Sequence, residues 1–293
     1  MNVKKTFTYL KGLFRAIISF KFRDLLKLMS NSPYVVEYLS KEGFSIILSV
    51  NDPAISKPIL CIQQYEKNVK DQIIAHLKDE TCFVDIGANL GYFTLMAATR
   101  CTQGKVICFE PDPHNYSLLK ASIALNALED RIQAYPFAVS NNSDEVYFSD
   151  LGYTNFLGSR FTAKDEQTLK ERMQGKDIPL KKIRAVSLDE FLDHQAIDLI
   201  KIDIEGYEPL AFQGMIKHLS KYHPVIITEF APGTITHISK TEPSELLHLF
   251  VNLGYTLNII ELNGNILECN NDVEKIMNYC TLQNRHHIDL LVK

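Results

Sequence analysis

The chain has 293 residues, with 31 Lys and Arg against 35 Asp and Glu, 46% hydrophobic and 23% charged residues, and no Trp. That apolar fraction excludes wholesale disorder, and 13 Gly and 11 Pro exclude a collagen-like or low-complexity architecture. A formal charge of −4 argues against a general nucleic-acid binder, which needs a strong cationic excess.

The charge is unevenly placed. Residues 1–29 hold Lys4, Lys5, Lys11, Arg15, Lys21, Arg23 and Lys27 against Asp24, a local +6 that leaves −10 for the remainder. Phe7, Leu10, Phe14, Ile17, Ile18, Leu25, Leu28 and Met29 recur at spacings of three and four, which predicts a helix within residues 7–29. Such a helix serves either as an appendage packed on the main domain or a partner subunit, or as a peripheral contact with an anionic membrane surface. No run approaches the roughly 18–20 apolar residues that span a bilayer. Lys11, Arg15 and Lys21 break the apolar core that a signal peptide needs. Cys61, Cys82, Cys101, Cys108, Cys269 and Cys280 contain no Cys-x-x-Cys pair, so a reduced, cytoplasmic protein is expected.

In chain order, residues 33–64 read as mixed, with a strand pair over 44–50 and 59–62. Residues 65–77 read as a helix. Apolar runs at 82–86, 105–109, 132–137, 199–202 and 225–229 then predict strands, and 92–99, 114–126 and 207–213 predict helices. This alternation implies an α/β fold with a largely parallel sheet covered by helices on both faces. Residues 144–150 suggest an added hairpin. Residues 151–183 are polar and break the alternation, as a lid or substrate loop would. The tail gives a strand at 255–261, a turn at Asn263-Gly264, a strand at 266–269 and a last strand at 288–292.

Three motifs carry chemistry. In Val84-Asp85-Ile86-Gly87-Ala88-Asn89-Leu90-Gly91, an apolar strand runs into a glycine-bearing turn before a helix, a geometry that suits a nucleotide-type cofactor. A dinucleotide fingerprint would want glycines two and five positions after Gly87, where Asn89 and Tyr92 stand. No Gly-Lys-Ser/Thr follows, so a phosphate loop is absent and a nucleoside without phosphates is the remaining candidate. Glu110, in Phe109-Glu110-Pro111, ends the next run 23 residues after Gly87, where a carboxylate accepts hydrogen bonds from ribose hydroxyls. The run Leu199-Ile200-Lys201-Ile202 ends in Asp203-Ile204-Glu205-Gly206. As a fourth strand neighbouring the first, it would bring Asp203 and Glu205 to the glycine turn. Glu205 and Glu208 also read as charge favoured at a helix start.

Together these residues resemble the FkbM family of S-adenosylmethionine-dependent methyltransferases. The resemblance is carried by Asp85-Ile86-Gly87-Ala88-Asn89 with Gly91, by Phe109-Glu110-Pro111 with Asn115 and Asn126, and by Ser187-Leu188-Asp189 before Lys201-Ile202-Asp203-Ile204-Glu205-Gly206. It covers roughly residues 65–230. It implies a Rossmann-like seven-stranded methyltransferase sheet whose last strand is antiparallel, with residues 1–64 as a basic, partly helical N-terminal extension and 65–293 as the methyltransferase domain. It places the methionyl part of the cofactor along Asp85, Gly87, Asn89 and Gly91, and the ribose on Glu110 beside Pro111. The adenine falls near Phe137-Ala138-Val139, Asp203 lies beside the sulfonium, and Tyr65-Glu66 are further contacts. Members commonly methylate hydroxyls on sugars or glycosylated metabolites.

The chemistry agrees with such a site. A sugar hydroxyl is a poor nucleophile and gains from a nearby base, for which Asp203, Glu205 and Glu229 are the candidates. Asp203 and Glu205 could instead hold a divalent cation such as Mg²⁺. The expected partner is a small-molecule or glycan acceptor, with no nucleic acid. Asn31-Ser32-Pro33-Tyr34 looks like the tetrapeptide of amino-directed DNA methyltransferases, but it precedes the cofactor strand. Two alternatives stand beside the methyltransferase: a nicotinamide-type oxidoreductase on a similar sheet, and a non-catalytic nucleoside-binding module.

Overall fold

A computed structural model describes residues 35–49, 52, 55–149, 161–172 and 179–293. The basic segment 7–29 and the tetrapeptide at 31–34 lie outside the described residues. The described residues begin with β1 (Val35–Leu39), β2 (Ser45–Ser49), α1 (Ser56–Ile62) and α2 (Lys67–His76). It continues with β3 (Cys82–Ile86), α3 (Tyr92–Arg100), β4 (Lys105–Phe109), α4 (Pro113–Leu125), β5 (Ile132–Tyr135) and β6 (Ala138–Val139). Then come β7 (Glu145–Ser149), β8 (Thr162–Ala163), α5 (Glu166–Arg172), β9 (Leu180–Val186) and α6 (Leu188–Phe191). Next are β10 (Leu199–Ile202), α7 (Glu208–Gln213), α8 (Ile216–Tyr222), β11 (Val225–Phe230), α9 (Pro232–Ile238) and α10 (Pro243–Asn252). The last elements are β12 (Leu257–Ile260), β13 (Ile266–Glu268), α11 (Val273–Leu282) and β14 (Ile288–Val292).

The main sheet has eight strands in the order β13-β12-β14-β11-β10-β3-β4-β5. The expected seven are present, and β13 adds an edge strand by pairing antiparallel with β12. Strands β5, β4, β3, β10 and β11 run parallel, and β14 inserts antiparallel between β11 and β12. Side chains alternate across the pleat, so Phe83 joins one apolar cluster with Leu95 and Leu119, while Val84 joins another with Ile200, Phe212 and Phe250. With both faces covered, β3 is buried along its whole length and is apolar except for Asp85, itself buried.

Three segments differ from the sequence expectation. Residues 59–62 are helical, within α1, and the partner of β2 is β1, in an antiparallel hairpin. Short apolar runs carry no period long enough to separate strand from helix, and Pro58 stands in the first turn, where a missing N–H costs nothing. The hairpin is tied to α4: Asn126 Nδ2 donates to the Ser45 carbonyl (2.6 Å), Asn126 Oδ1 accepts the Ser45 N–H (2.8 Å), and Ser122 Oγ accepts the Ile47 N–H (2.9 Å). Phe44, Ile46 and Leu48 enter the same apolar cluster as Phe83.

The described parts of 151–183 are not a structureless loop. They supply β8, α5 and the start of β9, which build a second sheet in the order β6-β9-β7-β8. The run 132–137 is shortened to β5 in the main sheet, and β6, just beyond it, turns into the second.

Candidate functional site

The chain leaves β3 toward β4 and β5 on one side, then returns to place β10 and β11 on the other. The order therefore reverses between β3 and β10, the place where ligands bind in open α/β sheets. Gly87 follows β3 and Asp203 follows β10 at this switch point. Gly87 has φ +80°, and a Cβ there would meet the Asp203 carbonyl oxygen at 2.1 Å. The turn is held by the N–H groups of Gly87 and Ala88, which both donate to the Phe109 carbonyl (3.0 Å each).

A cavity of about 270 Å³ opens at these strand ends. Its walls include Tyr65, Glu66, Gly87, Asn89, Glu110 and Pro111 on one side, and Lys201, Asp203, Glu205, Glu229 and His287 on the other. A smaller recess adjoins it, sharing Gly87, Pro111, Thr162 and Ile204, and is lined by Phe137, Ala138 and Val139. The candidates Glu66, Gly87, Asn89, Glu110, Pro111, Asp203, Glu205 and Glu229 thus meet in one cavity, with Ala138 next door. Asp85 and Gly91 stand behind the wall. Asp85 is buried and accepts a hydrogen bond from Thr94 Oγ1 (2.6 Å), and Gly91 caps α3 at φ +91°.

Glu110 is oriented by the backbone: Oε2 accepts the Asn89 N–H (2.7 Å) and Oε1 the Asp112 N–H (2.8 Å). Asn115 Nδ2 donates to Asn89 Oδ1 (2.8 Å), so α4 steadies the glycine turn. Asp112 caps α4 through the Asn115 N–H (2.7 Å), with Pro113 in the first turn. Three cavity residues other than glycine have left-handed backbone: Glu66 (φ 35°), Asn89 (φ 52°) and Glu205 (φ 58°). For the two glutamates this costs of order 1 kcal/mol or more each, strain of the kind that collects at ligand sites.

Lys201 has no role in the motif alone. It lies mid-strand, 5% exposed, with Nζ 3.4 Å from Asp203 Oδ2 and 5.4 Å from the centre of the Phe93 ring. A lysine inside an apolar run is almost never buried without a partner, and Asp203 two residues on shares its face of the pleat. Register also puts Lys201 beside Asp85 on β3. Burial pulls its ammonium toward neutrality, but Asp203, Asp85 and Glu66 outweigh this and hold it well above the ordinary lysine value. His287 carries no motif signal either; it is half exposed at the cavity mouth, with Nδ1 3.6 Å from Glu229 Oε1.

The carboxylates outnumber this cation. Burial pushes Glu66 up to about 7, with Asp203 adding to the rise and Lys201 opposing it. Burial, then Asp203 and Glu205, lift Glu229 well above the usual carboxylate range. Burial raises Glu208 to about 8 although its Oε1 accepts the Ile204 N–H (2.8 Å). Glu66, Glu110, Asp203, Glu205 and Glu229 therefore face the ammonium of Lys201 across a single cavity. Such a space accepts a cationic or neutral ligand and repels a phosphorylated one.

Comparison with known proteins shows the family of the chain. The family model described as the methyltransferase FkbM domain matches residues 85–257, from the end of β3 to the start of β12. "Methyltransferase sdnD" of Sordaria araneosa is 25% identical over 229 residues, covering 71% of this chain and 85% of that protein. "Methyltransferase 1" of Beauveria bassiana (strain ARSEF 2860) is 22% identical over 155 residues, covering 48% of this chain and 61% of that protein. A crystal structure of "Methyltransferase FkbM" from Methylobacillus flagellatus KT superposes with a TM-score of 0.47 at 16% identity. The match covers 74% of this chain and 44% of that longer one. The chain belongs to the family of methyltransferases built on the FkbM domain.

Proposed function

We propose that this chain is an S-adenosylmethionine-dependent O-methyltransferase acting on a hydroxyl of a sugar, glycan or glycosylated metabolite. The observation that carries the reading is the excess of carboxylates in a cavity at the sheet's switch point, beside a turn with no phosphate-binding glycines. A nicotinamide dinucleotide would bring a pyrophosphate to these acids, which disfavours the oxidoreductase. The nucleoside sulfonium brings positive charge, and the residues fit it. Glu110, an acceptor-only group aimed by two N–H donors, would take the ribose hydroxyls. The backbone at Gly87–Asn89 allows close approach, and Glu66 and Asp203 would face the cationic methionyl end. Phe137, Ala138 and Val139, which line the small adjoining recess, would border the adenine. When bound, the cofactor supplies an activated methyl group.

The chain's own residues then align the acceptor and receive its proton. In-line displacement rewards alignment. Asp203, Glu205 and Glu229 stand where an acceptor hydroxyl could donate, and Tyr65, Phe148 and Thr162 line the same space as partners for a sugar's faces and hydroxyls. All six cysteines are free thiols, which supports a reducing, cytoplasmic setting. Among the described residues no helix is long and apolar enough to cross a membrane. A peripheral membrane contact through residues 7–29 would suit a lipid-linked acceptor.

The test is methyl transfer from labelled S-adenosylmethionine to sugar-nucleotide, glycan and lipid-linked acceptors, with the product's linkage read by mass spectrometry. Transfer to oxygen is expected, and Asp203→Asn should lose turnover by about a hundredfold or more while S-adenosylhomocysteine affinity changes far less. Full turnover in Asp203→Asn removes it from the chemical step, and a product methylated only at nitrogen or carbon sinks the O-methyl reading.

Two further results follow for the cofactor half. Glu110→Ala should weaken S-adenosylhomocysteine binding by about 1–3 kcal/mol, the scale of a hydrogen bond to a charged group, as read by calorimetry. Unchanged affinity would place the ribose elsewhere. Affinity for S-adenosylmethionine, whose sulfonium carries the positive charge that the homocysteine product lacks, should also depend on pH through Glu66. Tyr65, Lys201, Asp203 and Asp289 surround that carboxyl. A cationic ligand favours its ionised form, so binding releases a proton below pH 7 and tightens as pH rises, by roughly tenfold between pH 6 and 8. Glu66→Gln should flatten the profile; a profile unchanged by that substitution would show that Glu66 does not face the ligand.

A further inference from the structure

Glu208 poses a problem that the methyl-transfer reading does not use. It opens α7, is 1% exposed, and only one of its carboxylate oxygens is satisfied: Oε1 accepts the Ile204 N–H, while Oε2 is buried with no hydrogen-bond partner. A buried acceptor left this way is costly and calls for a missing donor or ion. Its neighbours are not donors. Asp203 and Glu229 each bring a carboxylate oxygen to within 4.8 Å of one from Glu208 and of each other. The register explains the meeting. Ile202 pairs with Thr228, so one residue further on Asp203 stands opposite Glu229. The tight turn at Glu205-Gly206, with both residues at positive φ, folds Glu208 back under the pair.

We propose that Asp203, Glu208 and Glu229 form a binding site for one divalent, oxygen-preferring cation at the acceptor end of the cavity. The donor set is all carboxylate, which selects the Mg²⁺, Mn²⁺ and Ca²⁺ class over Zn²⁺ or Cu²⁺. Metal–oxygen bonds of about 2.0–2.6 Å let two oxygens on one ion lie up to roughly 4–5 Å apart, so three oxygens within 4.8 Å of one another can reach a single ion. Each carboxylate is also held from behind: Asp203 by Lys201 (3.4 Å), Glu208 by the Ile204 N–H and Glu229 by His287 (3.6 Å). Such outer contacts orient metal ligands. Asp203 and Glu229 line the cavity, so an ion has a path from solvent. Glu205, the acid that motif spacing pairs with Asp203, lines the cavity but is outside the trio. The site stands on carboxylate geometry alone; a part in activating an acceptor hydroxyl would rest on the methyl-transfer reading.

The experiment is a Mn²⁺ titration of the metal-stripped full-length chain, followed by the electron paramagnetic resonance signal of free Mn²⁺. S-adenosylhomocysteine binding is measured on the same sample. One Mn²⁺ should bind per chain with a dissociation constant below about 1 mM, and excess Mg²⁺ or Ca²⁺ should displace it. Glu229→Gln and Glu208→Gln should each weaken Mn²⁺ at least about tenfold. If Glu208→Gln does not fold, Glu229→Gln carries the comparison. A cooperatively folding sample that leaves Mn²⁺ free at millimolar concentration overturns the site, whether or not it binds S-adenosylhomocysteine. Equal Mn²⁺ affinity in the folded variants overturns it as well. Loss of Mn²⁺ in the variants from a sample that never binds S-adenosylhomocysteine supports the ion site and counts against the cofactor reading instead.

Discussion

Lys201→Met is expected to destabilise the protein by about 3–5 kcal/mol, the cost of breaking a buried ion pair from one side. The aliphatic stem is conserved in shape, so the loss isolates the charge. Lys201 is 5% exposed and is the ammonium among Glu66, Asp85 and Asp203. Without it, the cluster can relieve its charge only by taking up protons in the folded state. The folded protein then holds more protons than the unfolded chain, and stability falls as pH rises. Urea unfolding of the variant should therefore show its largest deficit near pH 8 and a smaller one near pH 5.5. A deficit below about 1 kcal/mol, equal at both pH values, would show that Lys201 is not the counter-ion of the site.

Gly87→Ala should be nearly as severe and should act through geometry. The backbone there has φ +80°, a region L-residues adopt at a cost of order 1–3 kcal/mol. The new methyl would also lie 2.1 Å from the Asp203 carbonyl oxygen and 2.9 Å from Ile204 Cγ2. Backbone cannot yield as a flexible side chain can, so β3 and β10 must separate at the switch point. A stability loss of about 2–4 kcal/mol is expected, together with loss of measurable S-adenosylhomocysteine binding. A variant that unfolds at the wild-type urea midpoint and binds normally would show that the close approach of the two strand ends is not needed.

Much of this site is legible in the amino-acid sequence. Strands β3, β4, β10 and β14 match apolar runs to the residue, because strands covered on both faces are apolar at all but one position each. Gly87, Glu110 and Asp203 can be placed together because each ends such a run, and strand order then decides which ends meet. Lys201 is harder to read. Its signal is a charged residue inside a buried run with an acid two positions on, which motif spacing ignores and strand alternation reveals.

Other parts have no local signal. Glu208 reads as ordinary helix-start charge, and only the turn at Glu205-Gly206 brings it to Asp203 and Glu229. His287 reaches the cavity because it immediately precedes β14, which runs antiparallel beside β11 and pairs Asp289 with Glu229. Asn126, Ser187 and Asp189 help to carry the family resemblance, yet their bonds are structural. Asn126 pins the β1–β2 hairpin, Ser187 Oγ donates to the Gly214 carbonyl (2.9 Å), and Asp189 accepts the His218 N–H (3.0 Å). The second sheet leaves little trace in the sequence because β6 and β8 are two residues each, too short to show a period.

The most direct measurement is calorimetric titration of the purified chain with S-adenosylmethionine at pH 8, with a nicotinamide dinucleotide titrated in parallel. The expected result is one site of micromolar affinity for the nucleoside, weakened in Glu110→Ala, and no heat from the dinucleotide. A folded chain that binds the dinucleotide, or that ignores the nucleoside at millimolar concentration, would contradict the assignment of the acidic cavity to a cationic methyl donor.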